Sequence, residues 1–367
     1  MIAILYREEL KEYDFGVGHP FRGDRYTNFY RFLKERVPED ENYRILEAEW
    51  ATDDDLMLIC EREYIEFTRE YYKAAHLGLS YDDRFYSFHL EDNKPSRGSG
   101  KLEEAARLII GQAKKAADLV MEGRFKKVVS IGGGLHHAKP DYGEGFCLYN
   151  DVAFAAKYLM EKHDLERVLV LDTDAHAGNG TCEYFYSDPR VLFIDLHQDP
   201  RTIYPGTGFA SEIGSGEGRG YTVNVPLPLY AGYESYKLVF EEIVQPLAEE
   251  FKPQIIIRNG GSDPHFDDSL TNLGLSIKGF KMIGEKVKSM AEICEGREID
   301  LIASGYNKKV LPYAWLALIS GLADFKIEVE EPTPIPRSLE KDPSLKKTER
   351  VIQEIKKNLR DYWSCFT

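Results

Sequence analysis

The chain has 367 residues, 43% of them hydrophobic, and a formal net charge of -15. It can bury a sizeable α/β core, and its negative field disfavours nonspecific binding to nucleic acid or anionic membrane while suiting a cationic peptide or amine. Five scattered cysteines without a CxxC pair exclude a disulfide scaffold and a Cys-rich zinc module. With no signal-peptide pattern and no apolar run of about 18 residues, a soluble cytoplasmic protein with no membrane association is expected.

In chain order, residues 2–6 read as a short strand, 26–36 as an amphipathic helix and 43–48 as a second strand. Residues 62–75 read as helix, 91–100 as loop and 102–122 as a long Ala-rich helix. Five brief apolar runs follow, at 128–131, 168–171, 191–196, 255–257 and 301–303. Helical stretches at 151–162, 233–250 and 277–295 lie between them. Short continuous apolar strands alternating with helices predict a single α/β domain, its central mostly parallel sheet flanked by helices. Each run is followed at once by polar, glycine-rich text, and such loops gather at the carboxyl ends of strands, where open α/β sheets bind ligands. Residues 328–345 are proline-rich, and 345–358 predict a final amphipathic helix packed back on the domain.

The run VLVLDTDAHAGNGT, residues 168–181, carries the densest chemistry. Asp172, Asp174 and His176 alternate, so extended backbone would project them on one side. Crowded carboxylates and an imidazole are costly unless they bind a cation. Asp174 and His176 offer two ligands, and Asp263 in GGSDPHFDD a third, with Asp267 and Asp268 as rivals. Two carboxylates and one imidazole leave an open position, as catalytic zinc sites do, and Fe(II) or Mn(II) also suits such ligands. Asp172 is better placed to orient a neighbour or bind a second cation.

The tandem His136-His137 after a Gly-Gly-Gly turn suits proton transfer. Asp172 is a candidate partner for one ring and Asn179 for the other. Tyr306 in ASGYN can donate to a developing oxyanion. Phe146 and Tyr204, on glycine-flanked loops, can form a slot for an aliphatic stem. Nucleotide-binding loops, a GxSxG elbow and nucleic-acid modules are absent.

GVGHPFRGDR, GGLHHAKPDYGEGFCLYND, LDTDAHAGNGT, YPGTG, GGSDPHFDDSLTNLGLS and ASGYN occur in an order that closely resembles the histone deacetylase family, with its arginase–deacetylase fold. The nearest likeness is to the bacterial and archaeal branch that includes the acetoin-utilization proteins. The resemblance implies a catalytic domain over residues 1–325, followed by a proline-rich linker and C-terminal helix over 326–367. It implies zinc (or Fe2+) on Asp174, His176 and Asp263, with His137 as general base, His137 or His136 protonating the leaving amine, and Tyr306 on the oxyanion. It also implies an acyl tunnel lined by Phe146, Tyr204 and Leu270, and a structural potassium ion at Asp172, Asp174, His176, Asp195 and Leu196.

The implied reaction is removal of acetyl or other short acyl groups from lysine side chains, with an acetylpolyamine or other small acylated amine as the alternative substrate. The oligomeric state is open. Four positions depart from the family pattern: Ala177 replaces a usual histidine, Asp195 a serine and Tyr204 a phenylalanine, and Leu270 stands where polyamine-selective relatives have a nearby glutamate. Asp92, in EDNKP, falls near the residue that grips the substrate backbone in some relatives.

Overall fold

Among the described residues, eight parallel strands form one sheet in the order β2-β1-β3-β8-β7-β4-β5-β6. They are β1 (Ile2–Leu5), β2 (Tyr43–Leu46), β3 (Lys127–Ile131), β4 (Val168–Asp172), β5 (Val191–Gln198), β6 (Thr222–Leu227), β7 (Ile255–Asn259) and β8 (Glu298–Ile302). The computed structural model describes residues 1–79 and 82–367. β3, β8, β7, β4 and β5 are consecutive neighbours, so the five rich loops emerge side by side although up to 170 residues of sequence separate them.

The longer helices are α1 (Asp24–Arg36), α2 (Arg62–His76), α3 (Leu102–Met121), α4 (Asp151–Lys162), α5 (Asn179–Phe185) and α6 (Tyr233–Val239). α6 runs through a π-turn (Phe240–Val244) into α7 (Gln245–Phe251). They are followed by α8 (Ile277–Met290), α9 (Leu311–Ala323) and α10 (Leu345–Leu359). Apart from the edge strand β2, the strands are buried almost throughout, as a parallel sheet covered on both faces requires. Each buried Val, Leu or Ile contributes roughly 1.5–3 kcal/mol relative to exposure.

Four elements differ from the sequence reading, the short α5 that begins in the GNG run among them. β8 begins at Glu298, not at residue 301, because the polar residues Glu298 and Asp300 are buried within the strand. β6 was not expected; it is an outer strand, where Pro226 is tolerated because an edge needs fewer backbone donors. α9 was also missed, because it is apolar nearly all round and has no polar face to set a period. α9 lies against α1 and α8, with Trp315 5.2 Å from Phe29 between ring centroids. A Cβ at Gly284 would lie 2.2 Å from the Leu318 carbonyl oxygen, so α8 and α9 meet at backbone distance.

α10 packs on β6 and α6, burying Ile352, Ile355 and Leu359 on one stripe. Asn358 donates to the Ala210 carbonyl at 2.9 Å, and the Trp363 indole to that of Gly220 at 2.7 Å. Among the described residues, no helix is long and apolar enough to cross a membrane.

Candidate metal centre and its surroundings

β4 ends at Asp172, and the chain bends immediately after it. The expectation of extended alternation through His176 is therefore corrected: the chain turns because side chains capture its own amides. The Asp174 N–H donates to Asp172 Oδ1 at 3.0 Å, and the His176 N–H donates to Asp174 Oδ1 at 2.8 Å. This bend brings His176 Nδ1 to 3.1 Å from Asp174 Oδ1 and 3.0 Å from Asp263 Oδ2. One donor atom from each of the three lies within 4.8 Å of the others, the arrangement a metal ion needs.

Burial and the adjacent Asp174 push the Asp263 carboxyl up, to about 8. Burial opposes charge on His176, but its contacts with Asp174 and Asp263 outweigh this and lift it to about 10. Protons on His176 and Asp263 thus stand in for missing positive charge among these buried groups. A divalent cation would satisfy the same deficit, and the O, O, N donor set fits zinc, Fe(II) or Mn(II).

The loop after β3 is held by α4. The Asp151 carboxylate accepts from the Gly134 and Leu135 amides at 2.7–2.9 Å. Asn150 caps α4 through the Ala153 N–H and donates to the carbonyls of His136 and Ala138. The two imidazoles are thereby fixed with Nε2 atoms 3.1 Å apart. His136 Nδ1 lies 2.7 Å from Asp172 Oδ2; His137 Nδ1 lies 2.7 Å from Asn179 Oδ1.

Their environments separate them. Burial opposes a charged His136, yet Asp172 and Asp174 raise it to about 9. Burial, with the cationic neighbours His136 and His176, holds His137 well below the ordinary imidazole range. One ring is therefore a cation and the other a neutral base, side by side.

Tyr306 faces this group, with its ring centroid 6.3 Å from that of His176 and 6.0 Å from that of Phe146. Burial and the nearby Asp263 keep its phenol protonated far above the usual range, so it is a donor. The Tyr204 ring lies 5.1 Å from that of His137. Phe146 adopts φ 65°, a left-handed conformation costly for a bulky residue, and the Tyr13 hydroxyl holds it by donating to its carbonyl at 2.7 Å. A Cβ at Gly145 would lie 2.2 Å from His137 Cδ2, so that loop lies flat on the ring.

The remaining predicted residues are placed differently. Leu270 is 42% exposed, beside Ser269, whose hydroxyl donates to the Tyr306 carbonyl. Asp268 accepts from the Tyr306 N–H, and Asp267 from the Asn307 side chain. These two rival ligands thus brace the tyrosine loop and stand outside the three-residue group. Asp92 accepts from the Gly145 N–H at 3.0 Å, next to Phe146. Asp195, beside the buried Leu196, accepts from the Gly178 N–H at 2.9 Å and lies 3.0 Å from His197 Nδ1. Ala177 borders a cavity of about 230 Å³ that also touches Asn179, Asp195 and Glu212.

Two residues escaped the sequence reading. Asn259, the last residue of β7, donates to Asp172 Oδ2 at 2.8 Å and so shares the carboxylate with His136. Arg25 is buried, with its guanidinium 5.6 Å from the Tyr306 ring centroid and donating to the Ala303 carbonyl at 2.9 Å. The HPFRGDR motif was a signal for Arg25; nothing local marks Asn259.

The histone deacetylase domain family matches residues 19–322 of the chain. A probable deacetylase of Archaeoglobus fulgidus is 36% identical over 375 residues, covering 99% of each chain. The acetoin utilization protein AcuC of Staphylococcus xylosus is 38% identical over 322 residues, covering 86% of this chain and 82% of the relative. The crystal structure of the HDA15 HD domain superposes with a TM-score of 0.83 at 25% identity, covering 100% of this chain and 96% of the other.

Proposed function

The chain belongs to the histone deacetylase family, and on that premise we propose that it is a metal-dependent hydrolase that removes a short acyl group from an amine nitrogen, a small acylated amine such as an acetylpolyamine being the first substrate class. The observation that carries the reading is the meeting of three metal-type ligands with two histidines whose Nε2 atoms lie 3.1 Å apart and with Tyr306, its ring centroid 6.3 Å from that of His176. Zinc or Fe(II) on Asp174, His176 and Asp263 would supply Lewis acidity toward the acyl oxygen and bring the pKa of water toward roughly 7.

The protein's own groups divide the remaining work. His137 takes the proton of the attacking water at Nε2. Tyr306 donates to the oxyanion as it develops; removing one such donor costs roughly 2.7–4 kcal/mol. His136, or His137 once protonated, returns a proton to the leaving amine. Phe146 and Tyr204 flank the aliphatic stem. The resemblance also implies a potassium ion held by the backbone around Asp172, Asp174, His176 and Leu196, with Asp195 beside it.

The acetoin-utilization names of the bacterial relatives favour a small-molecule substrate, and the acidic chain suits a cationic one. Acyl-lysine in a peptide is the second reading. It is favoured by the apolar, exposed Leu270 beside the Tyr306 loop, which offers no carboxylate to a second ammonium group. The test is acetate release from acetylputrescine and from an acetyl-lysine peptide, with zinc and with Fe(II). Release from neither would overturn the proposal, and preference for the peptide would establish the second reading. Tyr306→Phe should depress turnover far more than binding.

A further inference from the structure

Beyond the histidine pair lies a third group that the reaction as described leaves unused. Glu144 Oε1 accepts from Asn179 Nδ2 at 2.5 Å, and Asn179 Oδ1 faces His137 Nδ1 at 2.7 Å. The Glu144 side chain is only 12% exposed, with Lys139 Nζ 3.4 Å from the same oxygen. Glu144 immediately precedes Gly145, which lies against the His137 ring, so the loop that presents the carboxylate is in register with the ring it serves.

An asparagine amide is two-faced: one end accepts and the other donates. With Oδ1 toward the ring, Asn179 accepts the His137 Nδ1–H and leaves Nε2 unprotonated, facing His136 Nε2 at 3.1 Å. With Nδ2 toward the ring, it donates to Nδ1 and drives the ring proton to Nε2, where it blocks the base. Asparagine alone has little preference between the two. A carboxylate can only accept, so Glu144 pulls Nδ2 toward itself and turns Oδ1 to the histidine. We propose that Glu144 is a positioning residue that selects the Nδ1–H tautomer of His137 by fixing the orientation of Asn179. The inference rests on His137 being the base in the function proposed above.

The test compares zinc-loaded wild type with Glu144→Met, Glu144→Leu, Asn179→Asp and each Glu144 variant combined with Asn179→Asp. Imidazole 15N shifts report the tautomer without substrate, with His137 assigned by its loss in His137→Gln. In the Glu144 variants the Nε2–H form should appear and kcat should fall roughly 10–100-fold, with KM little changed. Asn179→Asp alone should be impaired, because it sets two carboxylates against each other. Added to a Glu144 variant, it should restore the Nδ1–H signature and most of kcat, because aspartate accepts without needing to be oriented. Either Glu144 variant suffices if the other does not fold. An unchanged His137 tautomer without Glu144, or no recovery in the double variants, would overturn the proposal. If the wild type hydrolyses no acyl amine, the function proposed above fails while the tautomer measurement still decides the role of Glu144.

Discussion

Two clusters of buried charge occupy the central strands, and they are balanced in different ways. At the carboxyl ends sit Asp174, His176 and Asp263. One level deeper, Arg258 on β7 faces Asp300 on β8, with Glu298 buried nearby on the same strand. The deeper cluster carries its own cation: the Arg258 guanidinium pairs with Asp300 and also donates to Thr173 Oγ1 at 3.2 Å. The upper cluster has two carboxyl groups and only imidazoles to offset them, His176 between them and His136 3.9 Å from Asp174. Buried charge that is closed on itself braces the fold, whereas buried charge left short of a cation is a site for one. The two are joined, because Thr173 lies between Asp172 and Asp174, so the structural pair supports the metal loop from beneath.

The comparison can be broken at either end. Asp263→Ala should have the largest effect: turnover and tight metal binding are lost, while metal-free stability holds or rises, because a buried carboxyl crowded against Asp174 disappears. Metal titration followed by denaturant unfolding checks both. Arg258→Met should instead cost about 3–5 kcal/mol of stability, because it strands Asp300 without a cation. Urea unfolding of the metal-free protein would measure that cost, and no loss would mean that the deeper cluster is not held by its arginine.

Chelation should lower the stability of the wild type by about 2.7 kcal/mol relative to protein with free metal at a hundred times its Kd, and should leave Asp263→Ala unchanged. The smallest effect belongs to Glu298, which burial and the adjacent Asp300 push well above the usual carboxylate range, against Arg258 and Lys127. The folded chain keeps a proton there that the unfolded chain releases. This contribution is therefore full below the unfolded pKa of about 4.3 and is lost as pH rises above it. Glu298→Gln should flatten that slope and be more stable than wild type at alkaline pH; parallel pH–stability curves for the two proteins would refute this.

The same contrast explains what could be read from the chain. The strands at 168–171 and 255–257 were readable because every side chain in them is apolar. β8 was read short because its charges are compensated only by partners far away in sequence. α9 gave no period because both of its faces are buried. At the site, Asp174, His176, His136 and His137 stood out through residue type and close spacing. Asn259 did not, because its role depends on Asp172 lying in the neighbouring strand, in register with it.

Local sequence thus sufficed for the residue chemistry: which groups can bind a cation, move a proton or donate to an oxyanion, and that they follow strands. Tertiary structure alone decided the partnerships. The course of the loop after β7 made Asp263 the third member of the group and turned Asp267 and Asp268 to the Tyr306 loop. The bend after Asp172 brought Asp174 and His176 together, and the approach of two loops turned Glu144 onto Asn179. The physical reason is range: composition and periodicity act over a few residues, whereas a donor finds its acceptor wherever the fold leaves one within about 3 Å.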